Sequence, residues 1–421
     1  MKGINHICMA MRLSVLAFAV LTASAAVQEA PGSQTSQERQ LAARLPDIFA
    51  KSAAHYRELD AAATPLMKDA NGKCQLPHGW RAKDDVYDMR PYTGWTAGHY
   101  PGCLWLLYEA TGDSFFRDRA LAWMEIIAPN SKVTDNHDVG FIMYCSYGNA
   151  RRILKTDAYD GLLLETAESL CKRYNEKLGL IRSWGACDEK KDFRVIPDNM
   201  MNLELLEWAA KKSGNAKFDR IAVSHGLVTD RHHFRPDSSV FHVLDYDQDT
   251  GRVKACLRGQ GAGIESAWSR GQAWAIYGYT MMFRETRRPE FLKRAVLCAD
   301  YAVDSPAMPE DGVPFWDYGC PGEERDSSAG AIMASGLLEL SGLAPVEKSA
   351  VYRAFAVKQL LSLSSPCYFA PPGANGHFLL MHGTGNKPRG SEIDVPLVYG
   401  DYYFLESLMR FKSTTNKGGQ Q

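Results

Sequence analysis

The feature that most constrains this chain is a recurring short polar turn between two apolar, helix-periodic segments. It occurs at Ala110-Thr-Gly-Asp-Ser-Phe-Phe116, Lys155-Thr-Asp-Ala-Tyr159, Lys212-Ser-Gly-Asn-Ala-Lys-Phe218 and Thr286-Arg-Arg-Pro-Glu-Phe291. Each turn carries Gly, Asp, Asn or Pro, residues that stop one helix and cap the next, and an aromatic residue then opens the second helix. The turns recur at roughly 40 to 60 residues, the period of stacked helical hairpins. Helices are expected near 38–58, 97–111, 113–128, 138–155, 157–175, 198–213, 214–230, 270–287, 289–305, 326–342, 346–364 and 396–411. An open solenoid is one way to stack the hairpins. A closed ring of inner and outer helices is the other, and it buries both ends without special caps. The connections between hairpins favour the ring. Pro129–His137, Leu178–Pro197, Thr229–Ala267, Asp304–Arg325 and Pro366–Asp394 are long and rich in aromatic, Gly and charged residues. Connections of that length usually carry function. Short turns at one end and long chemical loops at the other describe a barrel with its site at one mouth. Residues 234–255 alternate polar and apolar and are expected to form a small β-hairpin inside one loop.

Composition narrows the function. The chain has 421 residues, 45% hydrophobic and 23% charged, with a net charge of −1. That balance offers no global field for nucleic acid or an anionic membrane, so neither is an expected partner. The nine Trp residues are many for a soluble protein and suit either a thick core or a carbohydrate site. Ten Cys are dispersed without a C-x-x-C pair, which argues against structural zinc and against a dense disulfide scaffold. Residues 1–26 have the pattern of a secretory signal: Lys2 and Arg12, the apolar run Leu13–Leu21, and Ala23-Ser24-Ala25 for cleavage. The mature protein is then expected to be periplasmic or secreted. A disordered stub over 27–37, a single domain over 38–412 and a flexible tail from 413 complete the expected organisation.

Two carboxylates stand out. Asp138, in Asn136-His137-Asp138-Val-Gly-Phe141, opens a helix at the end of a long loop. Asp198, in Pro197-Asp198-Asn199-Met200-Met201-Asn202, repeats the arrangement one hairpin later. Helix capping alone would explain an Asp at such a place. If both helices are inner ones, however, the two acids converge on one cleft, the minimal equipment for acid/base sugar chemistry. The run Trp268-Ser-Arg270-Gly-Gln272-Ala-Trp274 adds two indoles and a guanidinium at a helix start, suited to stacking on a sugar and forking onto a carboxylate or sulfate. Trp95, Trp184, His242 and Gln260 flank these runs. No nucleotide-binding glycine loop, nucleophile elbow or zinc-protease motif appears, and Arg231-His232-His233 lacks a third ligand at a telling spacing.

These motifs, with Arg325-Asp326-Ser-Ser-Ala-Gly-Ala331 and Ser391-Glu392-Ile-Asp394-Val-Pro-Leu-Val-Tyr399-Gly-Asp401, resemble glycoside hydrolase family 88, the unsaturated glucuronyl hydrolases. The resemblance is collinear over residues 40 to 411. It implies an all-α (α/α)6 barrel and no metal or organic cofactor. It also implies release of a 4,5-unsaturated uronic acid from lyase-generated oligosaccharides. By resemblance Asp198 is the general acid/base and Asp138 the second essential Asp. Trp95, His137, Trp184, His242, Gln260, Trp268, Arg270 and Trp274 match substrate-pocket positions, Trp184 offset by a residue. Lys387, in His382-Gly-Thr-Gly-Asn386-Lys387, is a candidate for meeting a sulfate on the leaving sugar. An unsaturated rhamnogalacturonyl hydrolase acting on pectin fragments and a non-catalytic carbohydrate-binding barrel are the alternative readings.

Overall fold

Gly112 shows how the hairpins are made. It closes helix His99–Thr111 in the left-handed conformation (φ 73°), and Asp113 caps helix Ser114–Ile127 by accepting the Phe115 amide proton at 3.0 Å. Gly214 (φ 71°) and Asn215, which accepts from the Lys217 amide, repeat the device between Leu203–Ser213 and Ala216–His232. At the turn after Ser269–Thr286, Arg287 takes the left-handed position and Pro289 starts the partner helix Pro289–Val303. These are local signals, and the turns form where the sequence places them.

The computed structural model describes residues 34–417. Six helical segments form an inner ring: His99–Thr111, the run 139–154, the run 197–213, Ser269–Thr286, Ser327–Ser341 and Val398–Lys417. Each packs on the next, and Val398–Lys417 closes the circle against His99–Thr111. Ser36–Ala63, Ser114–Ile127, Asp160–Cys171, Ala216–His232, Pro289–Val303 and Val346–Leu363 lie outside them. The chain is an (α/α)6 barrel, the closed alternative rather than the solenoid. The inner helices are buried nearly all round; Ser327–Ser341 exposes little of any side chain.

The irregular parts lie at one end. Every inner helix starts where a long connection finishes, so all six N-termini meet at the same mouth. Three small antiparallel sheets lie in the connections among the described residues. Gln75–Arg81 pairs with Val86–Pro91, Tyr174–Asn175 with Leu180–Ile181, and Arg194–Val195 with Val243–Tyr246, which pairs in turn with Val253–Leu257. The hairpin expected over 234–255 therefore begins only at Val243 and runs to Leu257. The first sheet was not expected.

Two inner elements depart from plain helix. The run 139–154 passes through a π turn at Tyr144–Gly148, and the run 197–213 starts with the 3₁₀ turn Pro197–Asn202. The expected signal segment lies outside the described residues. Helix begins at Ser36, inside the expected stub, and continues to Lys417, past the residue at which a tail was expected. No helix among the described residues is long and apolar enough to cross a membrane, and the nine described cysteines are free thiols.

Candidate active site

A cavity of about 560 Å³ opens at the mouth where the inner helices begin. That is within the ~300–1,000 Å³ of small-ligand sites. Its wall includes Trp95, His137, Asp138, Trp184, Asp198, His242, Gln260 and Arg270. Eight of the residues singled out in the sequence are thus gathered around one cavity, from the connections and starts of four inner segments.

Asp198 sits on the 3₁₀ turn after Pro197, and its Oδ1 is buried without a hydrogen-bond partner. Burial raises its pKa to about 7; the nearby Asp138 charge pushes the same way, and Arg270 pulls against both. A carboxyl in this state holds a proton near neutrality, and its Oδ1 has no protein partner among the described residues. That is the condition for a general acid.

Asp138 stands at the N-cap position of the run 139–154, yet its side chain makes no capping bond. Its Oδ1 accepts from Asn202 Nδ2 at 3.3 Å, and its Oδ2 lies 3.2 Å from His137 Nε2. Capping therefore does not account for this Asp. His137 is buried; burial lowers its pKa, and the Asp138 carboxylate beside it pulls the other way. Its Nδ1 donates to Asn199 Oδ1 (2.9 Å), since the Asn199 amide nitrogen is occupied by the Ile181 carbonyl.

His242 is fixed in the opposite tautomer. Its Nδ1 accepts the Gln260 amide proton at 2.8 Å, leaving Nε2 as an N–H without a protein partner. Burial, and then the Arg270 charge, bring its pKa down to about 3, so it stays a neutral donor. Gly259 is required here: a Cβ would stand 2.1 Å from His242 Nδ1.

Arg270 is buried, and three of its N–H donors are held by the protein. Its Nη1 donates to Asp326 Oδ2 (2.6 Å) and the Thr384 carbonyl (2.7 Å), and its Nη2 to the Gly385 carbonyl (2.7 Å). It lines the cavity and brings positive potential to it. Gln260 Nε2 donates to the same Gly385 carbonyl.

Three of the expected residues lie off the cavity wall. Trp268 is buried behind the wall, stacked between His242 (4.3 Å between rings) and the Arg270 guanidinium (4.5 Å). Trp274 lies in the core against Phe141 and Tyr403, with no solvent-facing surface. Lys387 is bound by Glu323 (2.6 Å) and Glu324 and rests over Trp316, away from the cavity. The cations at the rim are instead Arg194, Arg258 and Arg389. Arg194 pairs with Asp192 at 2.8 Å; among the described residues Arg258 and Arg389 have no carboxylate partner. Trp95, packed on Tyr399 (4.7 Å), and Trp184, 44% exposed, are the indoles that face the opening.

Sequence reasoning missed the supports. Arg173 is buried and donates to the carbonyls of Thr134, Arg182, Ser183 and Gly185, tying the loop of Trp184 to the loop of Asp138. Glu392 accepts from Arg90 (2.9 Å) and approaches His78 Nε2 (3.2 Å), and it anchors the loop that presents Gly385. His78, Asp88 and Glu392 form a compact His/Asp/Glu group, but the Arg90 guanidinium already bridges its two carboxylates. A larger cavity, about 840 Å³, opens at the other end of the barrel. There Arg284 pairs with Glu204, Glu285 and Glu339, and Arg410 with Glu339 and Glu406.

No family model matches the chain. An unsaturated glucuronyl hydrolase from Formosa agariphila is 42% identical over 362 residues, 84% of this chain and 89% of that protein. The chain belongs to the unsaturated glucuronyl hydrolases. An unsaturated chondroitin disaccharide hydrolase from Streptococcus pyogenes is 33% identical over 79% of this chain and 85% of its own. Among solved structures, an unsaturated glucuronyl hydrolase specific for heparin superposes with a TM-score of 0.81 at 38% identity, covering 88% of this chain and 98% of that one. The Bacillus sp. GL1 unsaturated glucuronyl hydrolase gives 0.78 at 29% identity, covering 87% and 97%. Membership makes this chain a glycoside hydrolase.

Proposed function

We propose that this hydrolase removes the 4,5-unsaturated uronic acid from the non-reducing end of glycosaminoglycan fragments left by polysaccharide lyases, by hydrating the C4=C5 vinyl ether. The observation that carries the reading is Asp198, a carboxyl with an unpartnered buried Oδ1 that keeps its proton to about pH 7 beside a second acid, inside a sugar-sized cavity. Asp198 gives its proton to C4, and the positive charge that develops is shared between C5 and the ring oxygen. Water adds to C5 and returns a proton to the Asp198 carboxylate. The hemiketal opens to a C5 ketone, which leaves a hydroxyl on C1. That hemiacetal then collapses and frees the neighbouring sugar. Asp138 stabilises the developing positive charge and binds ring hydroxyls, the His242 Nε2–H donates to the sugar, and Trp95 offers it a face.

The test is incubation with lyase-generated unsaturated disaccharides while following the alkene absorbance. Loss of that absorbance with release of the second sugar is expected. Cleavage of saturated uronides with the unsaturated ones left intact would reject the mechanism.

The rim sets preference for the leaving sugar. With Lys387 locked to two glutamates, Lys387→Ala is expected to change kcat/KM by less than about twofold, as for exposed ion pairs of small net worth. Arg258→Ala/Arg389→Ala is expected to raise KM about tenfold for a disaccharide whose leaving sugar is sulfated, the effect of losing one to two charge-assisted hydrogen bonds. The unsulfated analogue should be nearly unaffected. Equal losses on both substrates would remove the rim arginines from substrate selection.

A further inference from the structure

We propose that Asn202 is a positioning residue for the acid pair: its side-chain amide holds Asp138 in place beside Asp198, so that one turn of chain sets both carboxylates. The inference rests on the hydrolytic reading of the cavity.

Asn202 is fully buried and ends the 3₁₀ turn Pro197–Asn202 that carries Asp198. Its Oδ1 accepts the Phe141 amide proton at 2.8 Å. A backbone N–H needs an acceptor, so that bond fixes which way the amide faces, and Nδ2 is the atom left for Asp138 Oδ1. The approach is close. A Cβ on Gly140 would stand 2.6 Å from Asn202 Cα, so only Gly lets the two segments touch here.

Asn199, on the same turn, addresses the other half of Asp138 through a relay. It holds His137 by Nδ1, and His137 Nε2 faces Asp138 Oδ2. Both carboxylate oxygens of Asp138 are thus governed from the turn that bears Asp198. The place Asn202 gives to Asp138 sets how near that carboxylate stands to Asp198. Charged Asp138 in turn favours retention of the proton on Asp198. The charged and titratable groups around Asp138 are His137, Arg173 and Asp198. Those around Asp198 are Asp138 and Arg270, with His242, Arg194, Arg258 and Arg389 on the remaining cavity wall. Asn202 does not titrate, so a change in the pH profile of its variants is transmitted through Asp138.

The experiment measures kcat and KM against pH on an unsaturated disaccharide for two variants. Asn202→Leu removes both bonds at similar volume. Asn202→Asp keeps an acceptor for Phe141 and replaces the donor to Asp138 with a second carboxyl. Both are expected to lose about 100-fold in kcat with KM within about threefold, the signature of misplaced catalytic geometry. In Asn202→Leu the alkaline limb should also move to lower pH, because Asp198 then sheds its proton earlier. A loss in kcat with an unmoved limb marks a merely structural role and overturns the proposal. If Asn202→Leu does not fold, Asn202→Asp decides: its added carboxyl should move the alkaline limb as well as lower kcat, and a loss in kcat with an unmoved limb overturns the proposal. Turnover by the parent enzyme together with Asn202→Asp retaining kcat within about threefold overturns this inference alone. Absence of turnover by the parent enzyme overturns the functional reading beneath it.

Discussion

Asp198→Asn lowers turnover of unsaturated disaccharides by about 10³-fold or more while ligand still binds, as expected when the proton donor to the reacting carbon is removed. The replacement has the same shape and is neutral, like the protonated acid that the cavity favours. Binding is therefore preserved while the proton is lost. The pH profile of the parent follows from the same group: kcat/KM falls as pH rises through about 7, where Asp198 in the free enzyme gives up its proton. Stability moves in the opposite sense for the variant. The folded pKa of Asp198 lies above its ordinary value, so the fold holds a proton that the unfolded chain releases. Its contribution is fully present below the ordinary carboxylate range and is lost as pH climbs to about 7. Asn does not ionise. Asp198→Asn should therefore melt at a higher temperature than the parent at pH 8, and the gap should close toward pH 4. A kcat near that of the parent, or a melting-temperature gap that ignores pH, would remove Asp198 from the role of acid.

How far the chain could be read from its residues depended on range. The hairpin turns were legible because Gly112, Asp113, Gly214 and Asn215 act on their own neighbours. The sheet Gln75–Arg81/Val86–Pro91 was not, because Pro77 and Gly79 interrupt the alternation that marks a strand. Gly79 is there for a distant reason: a Cβ would meet the Pro396 carbonyl at 2.6 Å. The 3₁₀ turn under Asp198 was read as α-helix, since nothing local announces the contact between Gly140 and Asn202 that crowds it.

The same division runs through the site. Asp138 and Asp198 were visible because each ends a long loop and opens an apolar helix. Trp268, Trp274 and Lys387 were misplaced because their neighbours are remote in sequence or on another face: His242 covers Trp268, Tyr403 closes over Trp274, and Glu323 and Glu324 hold Lys387. Arg173, Asn199, Asn202 and Glu392 went unassigned for the same cause, with Asn202 reaching Asp138 across 64 positions. The available signal was two Asn residues in the same short run as a candidate acid, which a helix interior does not favour and a hydrogen-bonding role does.

Arg270→Leu is expected to cost about 3–5 kcal/mol of folding stability, the range for breaking a buried ion pair by removing one partner. Both Arg270 and Asp326 are essentially without solvent contact, so the loss leaves Asp326 charged and buried. Asp326 keeps its capping bonds to Ser328 N (3.1 Å) and Ser328 Oγ (2.5 Å), and these do not replace a guanidinium. The carbonyls of Thr384 and Gly385 also lose their donor, with Gln260 left as a side-chain donor to Gly385. Denaturant titration reads the effect. Arg270→Leu/Asp326→Asn should recover part of the stability, because the stranded charge is gone, so the two changes are strongly non-additive. Activity should not return with it. Arg270 pulls the Asp198 pKa down, so in both variants the alkaline limb of kcat/KM should move to higher pH while its plateau stays low. A single variant that loses less than about 1 kcal/mol, or a double variant less stable than the single, would contradict a buried pair whose charges depend on each other. An alkaline limb that does not move would separate Arg270 from Asp198 and leave it a purely structural role between the Asp326 carboxylate and the loop at Gly385.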